Sequence, residues 1–471
     1  TGYAATSTLA GSRFKTDLKD TAASISVLTE EFISDIGATN LTEALQYSTS
    51  TQPELDDNSS AGANPSGNSM LEFSDRFRVR GQSATLARNY FTLRIQSDNY
   101  NVERIEDSRG PNSVLFGFGA PGGILNVSTK QAGPGRSFRK ASIQAGAFGS
   151  HRETLDVNQV LLQGRLGLRL NAVYDQNNDF REYTFSRDRR LDLAVRFQAT
   201  PTTQLRAAYE RSFYRANKPR LFGLNDGGIQ LWQQVGRPTY ATAIASNPAL
   251  SITRLGTARR VTFIGNSDRL IDMSGTLVTT DTNSEILNRQ IADPRINVGG
   301  PGQIRTTPSN NFSAFVEQRL GRQTFVELGY NHQDSFYESH DQNSNRIWGD
   351  PNQSLNDGTR NPFAGRLFIE SAAGWGRFQR WERADTGRAT VSTEVDARKW
   401  GNYRVAVLGE FETRGLIRYS HYEVWEGRPF NAAPENAANR VIRRNYVTEG
   451  AWDTYFANSP VTSGLIKDAL D

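Results

Sequence analysis

Val102 to Lys130 reads VERIEDSRGPNSVLFGFGAPGGILNVSTK, and this stretch decides how the rest of the chain is divided. Val102 to Glu106 is a short β-capable run, and Arg109-Gly110-Pro111 breaks it, because proline fixes φ and suits the first turn of a helix. Ser113 to Phe116 is then expected to make about one helical turn. Gly117, Gly119, Gly122 and Gly123, with Pro121 among them, form a hinge whose glycines reach positive φ or let another backbone come close. Ile124 to Thr129 resumes as a strand. Everything before this stretch has the pattern of a small α/β unit, and everything after it has the pattern of long β-hairpins.

Upstream, Thr1 to Thr21 is polar and without period, a lead-in. Ser24 to Leu28 alternates Ile25 and Val27 with serines, as a half-buried strand does. Thr29 is placed to cap a helix with Glu30 and Glu31 in its first turn, Phe32, Ile33 and Ile36 on its inner face, and Gly37 at its stop. Asn40-Leu41-Thr42-Glu43 has capping-box spacing and starts a second short helix through Tyr47. Thr49 to Ser74 is too rich in Gly, Pro and Asn to carry a core and reads as a long loop. Phe77-Arg78-Val79-Arg80-Gly81 reads as a short strand with two arginines on one face. Gln82 to Asn101 has no decisive period, and Arg88-Asn89-Tyr90-Phe91 fits a loop or a strand.

Downstream, strict period two recurs. Leu191, Leu193, Val195 and Phe197 alternate with Asp192, Ala194 and Arg196, and the same holds for Leu166 to Tyr174, Phe325 to Tyr330 and Tyr403 to Glu412. One face is nearly free of charge and the other is rich in it. An outward Arg or Lys at a bilayer midplane costs ~2–4 kcal/mol, so this partition is what a lipid-facing barrel wall demands. Short turns at Leu162-Gln163-Gly164, Thr200 to Thr203, Gly321-Arg322 and Trp400 to Asn402 alternate with mostly long connections at Gln176 to Arg187, Ala216 to Ser309, Ser339 to Asp385 and from Ser420 on, while the first, near Gly146 to Ser150, is short. A barrel with short turns on one side of a membrane and long loops on the other has that asymmetry; a soluble sandwich has no reason for it. About nine strands are legible, an odd number that does not close a single-chain barrel, so the wall is expected to continue beyond Asp471.

Composition narrows the function classes. The 54 basic residues nearly balance the 50 acidic ones, which gives no footprint for nucleic acid. Zero cysteines in 471 residues exclude disulfides and thiolate chemistry. The four histidines, His151, His332, His340 and His421, are scattered, and no metal or cofactor is expected. The Gly117 to Gly123 run lacks the Lys-Ser/Thr ending of a phosphate loop. No Ser/His/Asp arrangement stands out, Glu54, Asp56 and Asp57 sit in the polar loop, and an enzyme is not expected. Trp232, Tyr240, Trp348, Trp375, Trp381, Tyr422 and Trp425 fall in the long loops, where they bind a ligand, pack the loops or form an interfacial girdle.

The ordered set FRVRG, VERIE, SRGP, SVLFG and GAPGGILNVSTK resembles the plug domain of TonB-dependent outer-membrane receptors. The strong part covers about thirty residues and a weaker strand-helix-helix match reaches back to about Ala23. Two features depart from the family pattern: RNYFTLRIQSDNYN stands where an Asp-Gly turn is common, and Asp107-Ser108 replaces an apolar pair. The resemblance implies a lead-in at 1–22, an α+β plug domain at 23–133, and antiparallel transmembrane β-barrel strands at 134–471, incomplete in this chain. The end GLIKDALD is also unlike the aromatic-terminated last strand of the family's barrels. The plug motif would be Gly81, Gly110, Pro111, Gly117, Gly119, Pro121, Gly122 and Gly123. Arg80 and Arg109 align with plug arginines that in the family meet barrel glutamates, with Glu317, Glu327, Glu394 and Glu410 as candidates by parity; Glu327 and Glu410 are the expected partners. Ligand contacts are expected at the plug apex, at Gln52 to Ser74 and Gln82 to Tyr100, with Arg88, Asn89 and Tyr90 as the contacting residues. The implied activity is active import of a scarce nutrient (a metal chelate, a corrinoid or a glycan) across the bacterial outer membrane. Outer-membrane lipid and a TonB-type energy-transducing protein are the implied partners. The alternative is a structural or surface-adhesion barrel without energised transport.

Overall fold

The computed structural model describes residues 2–8, 16–18, 24–53, 77–110, 120–217, 224–234, 236–237, 239, 251–255, 261–264, 269–272, 275–279, 286, 288–342, 346–355, 358–371, 375–396, 401–421, 423–425, 441–456 and 466–468. Ser113 to Phe116, Pro111, Gly117 and Gly119 lie outside them, as do Tyr240, Tyr422 and most of the expected loop after Pro53.

The N-terminal domain is a sheet in the order Ser24–Thr29, Val102–Arg109, Gly123–Thr129, Gln82–Arg88, Phe77–Val79, Thr51–Pro53, with Phe91–Thr92 hydrogen-bonded to Gln82–Arg88. Only the Gln82–Arg88 and Gly123–Thr129 pair is parallel among these ladders. The first helix spans Glu30–Asp35, and the Thr29 side chain accepts from Phe32 N at 3.3 Å. The second spans Leu41–Leu45: Asn40 Oδ1 accepts from Glu43 N at 3.0 Å, and Glu43 reaches back to Thr39 N at 2.7 Å. It stops before Tyr47, which is exposed and instead meets the Phe32 ring edge-on at 5.4 Å. Leu28, Ile33, Leu41, Leu45, Phe77, Val79, Ile105, Leu125 and Val127 form the core between helices and sheet.

Two tight turns settle the ambiguous region. Arg80 and Gly81 have φ of 51° and 76°, and Val79 pairs with Gln82 across them. Asn89 and Tyr90 have φ of 49° and 63°, and Arg88 pairs with Phe91. Paired positive φ at both central residues is the hairpin geometry that matches strand twist. Arg88 to Phe91 is therefore a β-turn flanked by strand on both sides. Thr51–Pro53, expected as loop, is a short strand because Thr51 Oγ1 donates to the buried Asp107 at 2.7 Å and brings the chain alongside Phe77–Val79.

The wall is a nine-stranded antiparallel sheet whose order follows the chain: Phe138–Ala145, His151–Leu162, Leu166–Asn178, Phe185–Thr200, Thr203–Asn217, Arg305–Leu320, Thr324–Gln342, Trp375–Asp396 and Asn402–His421. It is open among the described residues, with the first and ninth strands as edges. Leu191 and Leu193 are about half exposed on the outer face, while Arg190, Asp192 and Glu210 are buried on the inner one. The strands run further than period two alone indicates. Ser339 to Asp385 was expected as a connection, yet the seventh strand continues to Gln342 and the eighth begins at Trp375, so Trp375 and Trp381 are strand residues. The Trp381 ring packs on Phe336 at 4.7 Å and edge-on against Tyr419 at 5.6 Å. Above the lipid both faces of a strand meet water, so the apolar alternation that marks a strand in sequence fades there.

Over the long-loop end lies a six-stranded sheet of Asn225–Asp226, Arg346–Gly349, Leu367–Ser371, Ile442–Tyr446, Val261–Ile264 and Arg269–Asp272. One face buries Ile229, Trp232, Ile347, Leu367, Ile369 and Tyr455. On the other, Trp348 stacks on Phe368 at 5.9 Å and Phe363 on Tyr446 at 4.2 Å. Trp232 and Trp348 thus pack the loops together. Within this layer Arg444 donates to Glu370 at 2.6 Å and Tyr446 to Asp350 at 2.5 Å. Burial pulls the Arg444 guanidinium down, but Glu370 and Asp350 outweigh it and its pKa rises; burial pushes the Tyr446 hydroxyl up.

Candidate functional site

The seam between the N-terminal domain and the inner face of the wall is built from charges. Arg88, at the last position of its strand, donates to Glu210 of the fifth wall strand, and Tyr100 Oη donates to the other Glu210 oxygen at 2.8 Å. Arg190 approaches the same carboxylate at 3.7 Å, donates to Asp188 at 2.9 Å, and reaches Gln96 O at 2.7 Å. Arg88, Tyr100, Arg190 and Glu210 are all buried. Burial lowers the Arg88 pKa, yet Glu210 and Asp192 outweigh that and raise it, so Arg88 stays cationic. Burial, then the Glu210 and Asp192 charges, lift the Tyr100 hydroxyl well above its usual value, so it remains a neutral donor.

Three further contacts complete the seam. Arg152 grips Asp98 through two hydrogen bonds of 3.0 and 2.6 Å, the planar fork geometry that makes arginine–carboxylate pairs strong. Lys130, where the chain leaves the domain, lies 3.3 Å from Asp156 and 3.1 Å from Glu30, and Asp156 also accepts from Arg169 at 2.8 and 2.7 Å. Arg388 donates to Tyr90 O at 2.9 Å with its guanidinium 4.2 Å above the Phe91 ring, which in turn faces Phe315 at 5.7 Å. Nearby, Gln333 bridges Thr92 O and Arg94 N at 2.8 and 2.9 Å, and Arg94 pairs with Glu412.

All these contacts come from one end of the domain's sheet. Thr129 pairs with Val102 and Val127 with Arg88 at that end, whereas Arg109 pairs with Gly123 at the other. Arg80 and Arg109, expected to meet the wall, sit at the far end. Arg80 is exposed at its turn. Arg109 donates to Ser26 and Ser48 at 2.7 and 3.0 Å and lies 3.2 Å from Asp107, two residues before it on the same face. Glu327 lies 3.2 Å from Arg388 and 3.6 Å from Arg206, both wall residues, and Glu410 stands across the ladder from Arg388. The described wall is therefore gripped by Arg88, Asp98, Tyr100 and Lys130, in place of Arg80 and Arg109.

Arg88, Asn89 and Tyr90, expected to touch ligand, are held inside this seam. Asn89 exchanges hydrogen bonds with Thr129 at 2.9 and 3.1 Å, Tyr90 N donates to Asn126 Oδ1 at 2.8 Å, and Tyr90 Oη donates to Glu106. Tyr90 also borders a cavity of about 730 Å³ at the short-turn end of the wall, lined by Glu317, Glu327, Glu394, Gln198 and Arg319. Among the described residues no group of three or more His, Asp or Glu is arranged to hold a metal ion. The wall partners were missed because parity shows that Asp192 and Glu210 face inward and says nothing of which domain residue meets them.

The hinge glycines stand where another backbone presses. A Cβ on Gly122 would lie 2.5 Å from Gln82 O, and one on Gly123, at φ 128°, would lie 2.1 Å from Ser108 O. Gly81 and Gly110 have positive φ with open space around them, and Pro121 is exposed.

The TonB-dependent receptor plug domain family matches residues 17–124. The metal-pseudopaline receptor CntO of Pseudomonas aeruginosa is 29% identical over 209 residues, 43% of this chain and 28% of that protein. The catecholate siderophore receptor Fiu of Escherichia coli is 32% identical over 171 residues, 36% of this chain and 21% of that one. Among solved structures, the ferric preacinetobactin receptor BauA of Acinetobacter baumannii superposes with a TM-score of 0.61 at 12% identity, covering 99% of this chain and 56% of that chain. The ferripyoverdine receptor of the Pseudomonas aeruginosa outer membrane gives 0.56 at 12%, covering 96% and 49%. The chain thus matches under a third of the length of these curated relatives and about half that of the solved receptors. Residues 17–124 thus belong to the TonB-dependent receptor plug domain family, and the nine strands that follow have the fold of part of the β-barrel of such outer-membrane receptors.

Proposed function

We propose that this chain forms the stopper and leading wall of an importer that takes an anionic metal chelate across the outer membrane, driven by a TonB-type energy-transducing partner. The observation that carries the reading is the chemistry of the seam. The plug keeps its apolar core to itself and meets the wall mainly through Arg88, Asp98, Arg94 and Lys130. Charged groups regain hydration when such a seam parts in a water-filled lumen, so a pulled plug exposes no large apolar surface. A purely structural barrel has no need of a separable polar seam.

The substrate class rests on a second arrangement and on the relatives' names. On the inner face of the eighth and ninth strands, Arg380 donates to Glu382 and stands directly across from Arg418, and Arg414 lies 2.6 Å from the same Glu382. One carboxylate thus serves two of three neighbouring arginines, and like charges opposite one another repel, so the cluster keeps an excess of positive charge that suits an anionic ligand. Two relatives carry the names of a metal-pseudopaline and a catecholate siderophore receptor, both metal-chelate systems. A neutral glycan gains nothing from this arginine pair.

The test is uptake of a radiolabelled ferric catecholate by cells carrying the full-length receptor. Collapse of the proton-motive force is expected to lower internalised iron by about tenfold or more while surface binding persists. Equal uptake with and without the force would reject energised import, and loss of surface binding alone would point to a different substrate.

A further inference from the structure

We propose that the outer surface of the wall carries a binding site for the phosphate groups of an outer-leaflet glycolipid, formed by Arg187, Arg189, Arg211 and Arg215. All four are exposed on the outward face of the fourth and fifth strands. Arg187 pairs directly with Arg215, and Arg211 with Leu191, so the guanidinium groups occupy neighbouring rungs of one ladder. Cβ atoms at such positions are ~4.5–5.5 Å apart, and like charges placed there repel unless an anion joins them.

Among the described residues no carboxylate pairs with the four arginines on this face. Glu153, in the rung of Arg189, is two strands away across Tyr174. Asp334, in the rung of Arg211, is two strands away on the other side and accepts from Asn310 at 2.9 Å. The arginines rest on aromatic rings: Arg187 lies 5.1 Å over Phe185, Arg215 lies 5.8 Å over the same ring, and Arg189 lies 5.4 Å over Tyr174. Such seating holds the guanidinium planes in place and leaves their edges for a ligand.

Height selects a lipid as the source of the phosphate. Below the patch the outward positions are Leu191, Leu193, Val195, Phe197 and Ala199, an apolar column continuous with it. From Ala199 to Arg189 the strand rises ~33 Å along its axis, or ~25 Å along the membrane normal at a 40° tilt. That equals the apolar band of an outer-membrane barrel, so the arginines begin at the headgroup level on the long-loop side. A phosphorylated glycolipid presents acyl chains to the column and phosphates to the arginines.

The test uses the full-length receptor, delipidated in detergent, with bisphosphorylated lipid A, dephosphorylated lipid A and inorganic phosphate as probes, read by native mass spectrometry. Bisphosphorylated lipid A is expected to bind the unaltered receptor, to bind the Arg187→Ala/Arg215→Ala variant about tenfold or more weakly, and to bind Arg187→Lys/Arg215→Lys within a fewfold of the unaltered receptor. Surface arginine substitutions leave the fold intact, which the uptake assay verifies. Equal binding of dephosphorylated lipid A, or undiminished binding by the alanine variant, would overturn the site. Full displacement by millimolar inorganic phosphate would assign the patch to a free anion and overturn the lipid assignment. Neither result bears on energised import, which is read separately.

Discussion

Gly123→Val is expected to abolish plug assembly in the full-length receptor. The glycine has φ 128°, a region L side chains rarely adopt, and its Cβ position lies 2.1 Å from Ser108 O and 3.1 Å from Arg109 Cα. Neither obstacle is a movable side-chain tip. Both belong to Val102–Arg109, which is held between Ser24–Thr29 and Gly123–Thr129 in the middle of the sheet. Relief requires tearing the ladder at the Arg109–Gly123 rung, a loss on the order of 4 kcal/mol or more. Limited proteolysis is the readout, with a plug degraded inside an intact barrel as the expected result. Gly81→Asn is the matched control: its φ is 76°, nothing lies within 4 Å of its Cβ position, and asparagine tolerates that backbone, so it should behave as the unaltered receptor. A protease-resistant, transport-competent Gly123→Val receptor would contradict the packing described for the hinge.

The second large effect is expected at Glu210. This carboxylate is shared by Arg88, Tyr100 and Arg190, and its removal leaves cations buried without their counter-charge. Breaking one partner of a buried pair costs ~3–5 kcal/mol, whereas exchanging the pair for apolar groups of similar volume is often nearly neutral. Glu210→Ala should therefore loosen the plug strongly, and Arg88→Met/Glu210→Leu should recover a large part of the loss. Proteolytic release of the plug from purified receptor in a urea series reports both. If the single and double variants lose equal stability, the coupling between Arg88 and Glu210 is absent.

These two sites also mark how far the sequence could be read. The glycine hinge was legible because Gly122-Gly123 between proline and a β-branched run demands close backbone approach, and the structure supplies the approaching atoms at Gln82 and Ser108. The helix caps at Thr29 and Asn40 were legible because they are local. Glu210 was not singled out. Its inward parity follows from Tyr209 and Arg211 on the other face, but its partner lies 122 residues away and is fixed only by how the plug is turned inside the wall. The same limit separates Arg109, whose neighbour Asp107 satisfies it locally, from Arg88, which lies where the sheet meets the wall. Strand ends near Gln342 and Trp375 were hidden for another reason: outside the lipid a strand needs no apolar face, so the sequence NHQDSFYESHDQ carries no signature of the β-structure it adopts.

The claim that the plug must part from the wall is tested most directly by tethering the two. The chain has no cysteine, so Asp98→Cys and Arg152→Cys introduce the only thiols into it, at a pair whose side chains now meet at 2.6 Å. Uptake of a ferric chelate is measured in three states: unbridged, bridged by a short reversible bis-methanethiosulfonate, and reduced again. The account predicts import in the first state, about a tenfold or greater loss in the second with surface binding retained, and recovery in the third. Undiminished import by the fully bridged receptor would contradict it.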